Sequence, residues 1–157
     1  MLSFSKITAA ALAASLFAAS AAQAATTATG GASATVIGPL SITQTTPLNF
    51  GSFSSGATSG TINSFGSTTG GVTSLALGSP AIFNVTGNPN TNFSITGPAS
   101  VVLSSGLNTM TATLTVPTGS SLDTAGNRAF NVIGTLAVAA NQATGTYTGS
   151  YNVSVNY

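Results

Sequence analysis

Charge is what this sequence most clearly lacks. Only 2% of its 157 residues are charged, against about 25% in an average soluble domain. The charged side chains are Lys6, Asp123 and Arg128. Nucleic-acid binding requires a basic footprint, and two scattered cations do not supply one. The composition therefore predicts a protein with no nucleic-acid partner.

Histidine, cysteine and tryptophan are absent as well. Hydrolytic catalysis usually needs a general base, an activated nucleophile or a metal, and zinc and iron sites depend largely on His and Cys. A paired-carboxylate mechanism would need a second acid beside Asp123. The stretch 123–127 lacks the acid-rich pattern of a calcium loop and indicates a turn. We expect a non-enzymatic protein with no catalytic residue, metal, cofactor or small-molecule substrate.

The first residues have the pattern of a secretory signal peptide of bacterial type. Lys6 supplies the positive charge, residues 7–22 are apolar and rich in alanine, and Ala22-Gln23-Ala24 is a small-residue cleavage site. The apolar run is too short for an ordinary membrane span of about 20 residues. We expect residues 1–24 to be removed and the rest to be exported to the periplasm, the cell surface or the medium.

Beyond residue 24, apolar and polar side chains alternate with the period of half-buried β-strands. The clearest case is 109–116, where Met110, Ala112 and Leu114 share one face and threonines the other. Residues 129–139 are longer and more apolar, which is typical of a central strand. The other predicted strands cover residues 32–37, 40–43, 48–53, 59–65, 72–77, 81–86, 92–96, 100–103 and 145–157.

Turn residues separate these strands. Residues 87–90 (GNPN) indicate a turn of the hairpin kind, and residues 54–71, rich in Ser, Gly and Thr, are predicted to be mainly loop. About eight to ten short strands at a spacing of about 8–12 residues indicate a sandwich or barrel. Without cysteine no disulfide can form, although export would permit one. We predict one all-β domain, an antiparallel β-sandwich, over residues 25–157.

The predicted surface lacks the usual safeguards of a soluble β-protein. Dispersed monomers normally carry charge, and edge strands normally carry Lys, Pro or inward-pointing charges that block pairing. Here the outward faces consist of Thr, Ser and Asn. Identical copies can pack closely because no like charges would meet. This favours a self-assembling protein.

Several segments, taken in order, resemble the bacterial domain-of-unknown-function 4402 family. They are PLSIT at 39–43, LNFG at 48–51, AIFNVTGNPN at 81–90, FSITGP at 93–98 and GTYTGSYNVSVNY at 145–157. The resemblance covers nearly all of the chain after the signal. It implies a secreted β-sandwich and names no activity.

A looser resemblance is to chaperone–usher pilins and spore-coat-U-like proteins, which end in an alternating strand much as residues 145–157 do. It implies an immunoglobulin-like (pilin-like) sandwich that lacks a strand, with a neighbour's N-terminal extension filling the groove. Residues 25–37 would be that extension, or donor strand. The usual pilin disulfide is missing, and the last aromatic residue is terminal rather than penultimate. The assembly residues implied are Ala28, Ala32, Ala34, Val36, Tyr151, Val153, Val155 and Tyr157.

We therefore expect a non-catalytic exported structural or cell-surface protein, a self-assembling subunit of fimbrial or filament-like kind. Its partners would be copies of itself or an export chaperone. One alternative is a monomeric secreted adhesin or binding module, which exposure of Tyr147, Tyr151 or Tyr157 would favour. A further alternative is a small outer-membrane β-barrel, although the sequence has few aromatic residues for the girdles of that class.

Export is tested by the mass of the mature protein. Cleavage after Ala24 should leave a chain that begins at Ala25, because the small residues at 22 and 24 fit the cleavage site. Intact-mass analysis of protein recovered from its native host measures this directly. A secreted chain that still carries Met1 would contradict the prediction.

Overall fold

The computed structural model describes residues 25–157, and all regular secondary structure in this range is β-strand. The strands are β1 (Ser41–Thr46), β2 (Ser52–Asn63), β3 (Thr68–Ala76), β4 (Ala81–Thr86), β5 (Asn92–Thr96), β6 (Ser100–Ser105), β7 (Asn108–Thr115), β8 (Gly119–Ser121), β9 (Asn127–Val138) and β10 (Ser154–Asn156). All pairings among them are antiparallel. The prediction of an all-β antiparallel sandwich is confirmed. The predicted signal peptide, residues 1–24, lies outside the described residues.

The chain divides into two units, with the boundary between Thr35 and Val36. All ten strands belong to the second unit. In the first unit, residues 25–35 are exposed and have no regular structure. The strand predicted at 32–37 is therefore wrong for the single chain. Within the described residues, no helix is long and apolar enough to cross a membrane.

β9 is the strand that organises the larger, seven-stranded sheet. Its first half, residues 127–132, pairs with β4. Its second half lies between β2 and β7, so that Leu136 has Ile62 on one side and Ala112 on the other. β1 extends the sheet beyond β4, β3 extends it beyond β2, and β6 pairs with β7. The smaller sheet has the order β10-β5-β8.

The period-2 pattern decides which side chains form the core. In β7, Met110, Ala112 and Leu114 are buried and the threonines between them are exposed, as the sequence predicts. Burial of each large apolar side chain is worth about 1.5–3 kcal/mol, so these positions hold the two sheets together. The larger side chains of the core are Phe50, Ile62, Val72, Phe83, Val85, Phe93, Ile95, Val101, Met110, Leu114, Leu122, Phe130, Val132, Leu136 and Val138.

Residues 54–71 form a bent hairpin of β2 and β3, so the prediction that this stretch is mainly loop is wrong, whereas most of the strand predicted at 59–65 belongs to β2. The pairing register shifts between residues 55 and 60 of β2. At this point Gly70 has φ +60°, and a Cβ on it would collide with the carbonyl oxygen of Ser59. Glycine allows both the left-handed backbone and the close approach. The Gly-rich composition therefore marks a corner in a paired ribbon.

The corner brings the tip of the hairpin back onto the sheet. The backbone nitrogen of Ser64 donates to the carbonyl oxygen of Gly134 in β9 at 2.9 Å, and Ser64 is fully buried. A Cβ on Gly66 would lie 2.6 Å from Leu77 Cδ2, so the tip also contacts the chain just after β3. The tip of the β2–β3 ribbon is thus fixed at two points.

The turn at residues 87–90 is present, but it does not close a hairpin. β4 pairs with β1 and β9 in the larger sheet, whereas β5 pairs with β8 and β10 in the smaller one. The turn is a crossover, held by Gly87 N donating to Gly126 O at 2.9 Å and Asn90 N to Asp123 O at 3.1 Å. Turn composition fixes a change of direction but not which strands pair, which is why the hairpin prediction fails.

Two glycines with the same backbone angle test the corner. Gly70 and Gly106 both have φ +60°, but a Cβ on Gly106 meets nothing within 4 Å. Gly106→Ala should lower the free energy of unfolding by about 1–2 kcal/mol, because alanine is strained in the left-handed conformation and meets no neighbour there. Gly70→Ala should cost clearly more, because the backbones must also separate. Urea unfolding followed by circular dichroism measures both, and equal losses would contradict the close crossing.

Candidate functional site

The single acidic side chain of the described residues is used within its own turn. Asp123 Oδ1 accepts hydrogen bonds from the backbone nitrogens of Ala125 at 2.9 Å and Asn127 at 2.8 Å. Asp123 also pairs through its backbone with Asn127, whose carbonyl oxygen accepts at 3.0 Å. The side chain is exposed at the start of the β8–β9 connection. This is the geometry of an Asx turn, as the sequence predicts.

The C-terminal segment packs its predicted face onto the core of the same chain. Tyr147, Tyr151, Val153 and Val155 are half-buried and contact the core. Of the predicted strand over residues 145–157, only β10 has strand geometry, paired with β5. The shared parity of these side chains is thus correct, whereas the length of the strand is wrong.

Further upstream, the same segment runs beside β6. Ser104 and Thr148 exchange two backbone hydrogen bonds of 2.9 and 3.0 Å. A Cβ on Gly149 would collide with the carbonyl oxygen of Val102, which shows how closely the two backbones approach. The segment therefore covers the outer edge of β6 without forming a continuous ladder.

Tyr151 has a buried hydroxyl without a partner. Its ring meets Phe83 edge-on, with centroids 6.5 Å apart, and Phe83 stacks on Phe130 at 5.4 Å. The hydroxyl oxygen has no hydrogen-bond partner among the described residues. Desolvation by burial raises the pKa of the Tyr151 phenol, because the charged phenolate would lose its hydration.

Tyr157 is held by its hydroxyl instead. The hydroxyl accepts from the backbone nitrogen of Asn88 at 2.8 Å and donates to the carbonyl oxygen of Gly38 at 3.1 Å. The side chain is 46% exposed. It therefore joins the chain end to the β4–β5 crossover and to the stretch just before β1, and it leaves part of its ring in solvent.

A cleft of about 540 Å³ opens between residues 48–55 and residues 142–147. Core side chains Phe50, Met110 and Leu136 form part of its lining. Gln142 Nε2 donates to the Tyr147 hydroxyl at 2.8 Å, and that hydroxyl donates to the carbonyl oxygen of Ala143, also at 2.8 Å. No charged side chain lines the cleft, so it suits a neutral ligand or segment. The sequence did not indicate it, because its two walls are far apart in the chain.

The predicted N-terminal assembly residues differ from the C-terminal ones in burial. Ala28, Ala32, Ala34 and Val36 are all exposed and lie outside any strand. Their role as a donor strand stays a prediction. In contrast, Tyr151, Val153 and Val155 are half-buried and already pack against the core of their own chain.

One family profile matches this chain over residues 40–157, and its description is domain of unknown function (DUF4402). The chain belongs to the DUF4402 family. This confirms the resemblance found in the sequence. Comparison with curated proteins and with solved structures gives no match.

The DUF4402 segment coincides with the sandwich. It starts one residue before β1 and contains all ten strands. Residues 25–39 precede it, and all four predicted donor residues, Ala28, Ala32, Ala34 and Val36, lie there. The family match therefore covers the whole sandwich, whereas the proposed N-terminal extension lies outside it and is inferred from this chain's sequence alone.

Two tyrosine variants test the unpaired hydroxyl of Tyr151. Tyr151→Phe removes a buried, unsatisfied group and should leave the free energy of unfolding unchanged or raise it by about 1 kcal/mol at neutral pH. Tyr157→Phe is the matched control and should lower it by about 1 kcal/mol, because two hydrogen bonds are lost. Urea unfolding measures both. A marked loss for Tyr151→Phe would show that its hydroxyl is satisfied.

The pH dependence gives an independent check of the same group. The raised pKa of folded Tyr151 means that the native state holds its proton above the usual tyrosine pKa of about 10. The contribution of Tyr151 to stability is therefore constant below that pH and declines as the unfolded state ionises above it. Between neutral and strongly alkaline pH, the free energy of unfolding should therefore fall less for the Tyr151→Phe chain than for the parent chain, as measured by urea unfolding at each pH.

Proposed function

We propose that this DUF4402 protein is a non-catalytic exported structural or cell-surface protein whose copies assemble with one another. One observation carries the proposal. Among residues 25–157, the outermost strands β1 and β3 of the larger sheet each have one edge without a strand partner, and neither strand contains a charged residue. The exported protein would act in the periplasm, at the cell surface or outside the cell.

Open edges of this kind favour pairing between chains. Their unpaired backbone groups are a template for another strand, and soluble proteins usually block them with charge, proline or a cover. Like charges that would keep copies apart are missing here, since the described residues hold one acid and one base. Neutral Ser, Thr and Gln side chains on β1 add hydrogen-bonding groups without repulsion.

The geometry around Asp123 supports a non-catalytic role. One of its carboxylate oxygens holds the β8–β9 turn through two backbone nitrogens. A general base must reach the proton that it abstracts, and the chain offers no histidine or second acid to share the task. Asp123 therefore serves the turn, and the hydroxyl-rich surface is better suited to contacts between proteins than to catalysis.

The alternative, a monomeric binding module, has two observations in its favour. The uncharged cleft of about 540 Å³ beside Tyr147 falls within the usual range for ligand pockets, about 300–1,000 Å³. The partly exposed ring of Tyr157 is a second contact surface for such a module. A neutral sugar or an uncharged peptide would fit the polar and apolar lining.

Electron microscopy and size-exclusion chromatography of residues 25–157 test the proposal. We expect filaments or sheets together with high-mass species. Raising the salt concentration from 0.01 to about 1 M, which shortens the Debye length about tenfold, should not disperse them, because charge does not drive the contacts. Monomers at all concentrations would contradict assembly and leave the binding module as the better hypothesis.

A further inference from the structure

The strand edges of the sandwich are not equally open to another chain. The outer edge of β6 is bridged by Thr148, and β8 and β10 are only three residues long. β1 has six residues and β3 has nine. Within the described residues, β1 and β3 therefore offer the longest edges for adding a strand.

Exposed apolar side chains lie beside the β3 edge. Leu75 and Leu77 are 69% and 77% exposed, and Phe65 at the tip of the β2–β3 hairpin is 52% exposed. Leu77 contacts the hairpin tip at Gly66, so the three side chains belong to one region. We call these three residues the β3 patch. Leaving large apolar groups in water is unfavourable, and such a patch marks an interaction surface.

A second apolar group lies at the N-terminal end of β1. Val36, which is 97% exposed, and Ile37 precede β1 in the chain. The Tyr157 hydroxyl bonds to the carbonyl oxygen of Gly38, which places its exposed ring in the same region. We call Val36, Ile37 and Tyr157 the β1 patch. Six of the eight large apolar residues exposed in the described chain thus belong to these two patches; the others are Val102 and Leu107.

We propose that the β3 edge and patch of one copy dock onto the β1 edge and patch of the next copy. This inference rests on the proposed function and names the surfaces through which assembly occurs. The two surfaces differ, so their contact is heterologous and can continue from copy to copy without closing. Pairing of like edges would need two different contacts, β3–β3 and β1–β1, to cover both patches, whereas a single head-to-tail contact covers both.

The charge distribution agrees with this choice of partner. β1, β3 and both patches contain no charged side chain, and the two charged side chains of the described residues, Asp123 and Arg128, belong to the β8–β9 connection and to β9. A partner with a charged docking face would have to bury unpaired charge against these edges, which is costly. A second copy supplies a neutral edge and an apolar patch at once.

Cysteine pairs test the contact directly, because the chain has no native cysteine. Thr43 in β1 and Thr73 in β3 are both exposed. A mixture of Thr43→Cys and Thr73→Cys chains of residues 25–157, treated with a short bismaleimide, should give a mixed dimer. Each variant alone should give little or none. A dimer from Thr73→Cys alone would show a β3–β3 contact and overturn the head-to-tail arrangement.

Lysine substitutions test the role of the β3 patch. Leu75→Lys together with Leu77→Lys should abolish the high-mass species and shift elution to the monomer, while circular dichroism stays that of the folded chain. Leu107→Lys is the matched control, since Leu107 is fully exposed at the β6–β7 turn, away from both edges. It should assemble like the parent chain.

The outcomes separate this inference from the proposed function. A parent chain that stays monomeric overturns both. If the parent assembles and the Leu75→Lys/Leu77→Lys chain assembles equally well, only the docking surfaces are wrong. Deleting residues 25–34 should leave assembly intact. Loss of assembly in that deletion, with the lysine variant unaffected, would show that the N-terminal segment inserts as a donor strand instead.

Discussion

The position of β9 between its neighbours is the constraint on which the fold depends. Leu136 is almost fully buried and is paired with Ile62 and Ala112 on its two sides. A shift of one residue would turn every buried side chain of β9 toward solvent. No disulfide can compensate, since cysteine is absent. The register of β9 therefore fixes β2, β4 and β7 together, and through them the open edges at β1 and β3.

The alternation of apolar and polar residues is sufficient to predict the strands that bury one face in the core. The bounds of β4 and β5 match the predicted 81–86 and 92–96, and β7 and β9 differ from prediction by one or two residues. The β2–β3 corner was missed because it depends on Gly70 passing close to the Ser59 carbonyl. That contact joins two strands, and a local pattern of Ser, Gly and Thr does not reveal it.

The candidate site was harder to predict than the fold, for a related reason. The face shared by Tyr151, Val153 and Val155 was found correctly, but whether it covers the same chain or a partner is a matter of tertiary packing. The β3 patch was missed. Val72 is buried, whereas Leu75 and Leu77 have the opposite parity and are exposed. Apolar residues at both parities of one strand were the signal that could have indicated an outward-facing patch.

The two open edges are limited in a way that favours a defined contact over indiscriminate aggregation. Pro39 and Pro47 flank β1, and proline cannot donate to a ladder. On β3, the corner at Gly70 confines the straight, paired stretch to residues 72–76. Both edges therefore offer a stretch of similar, short length. Long, flat edges permit slippage, so edges this short, each beside its own apolar patch, restrict the registers in which two copies can meet.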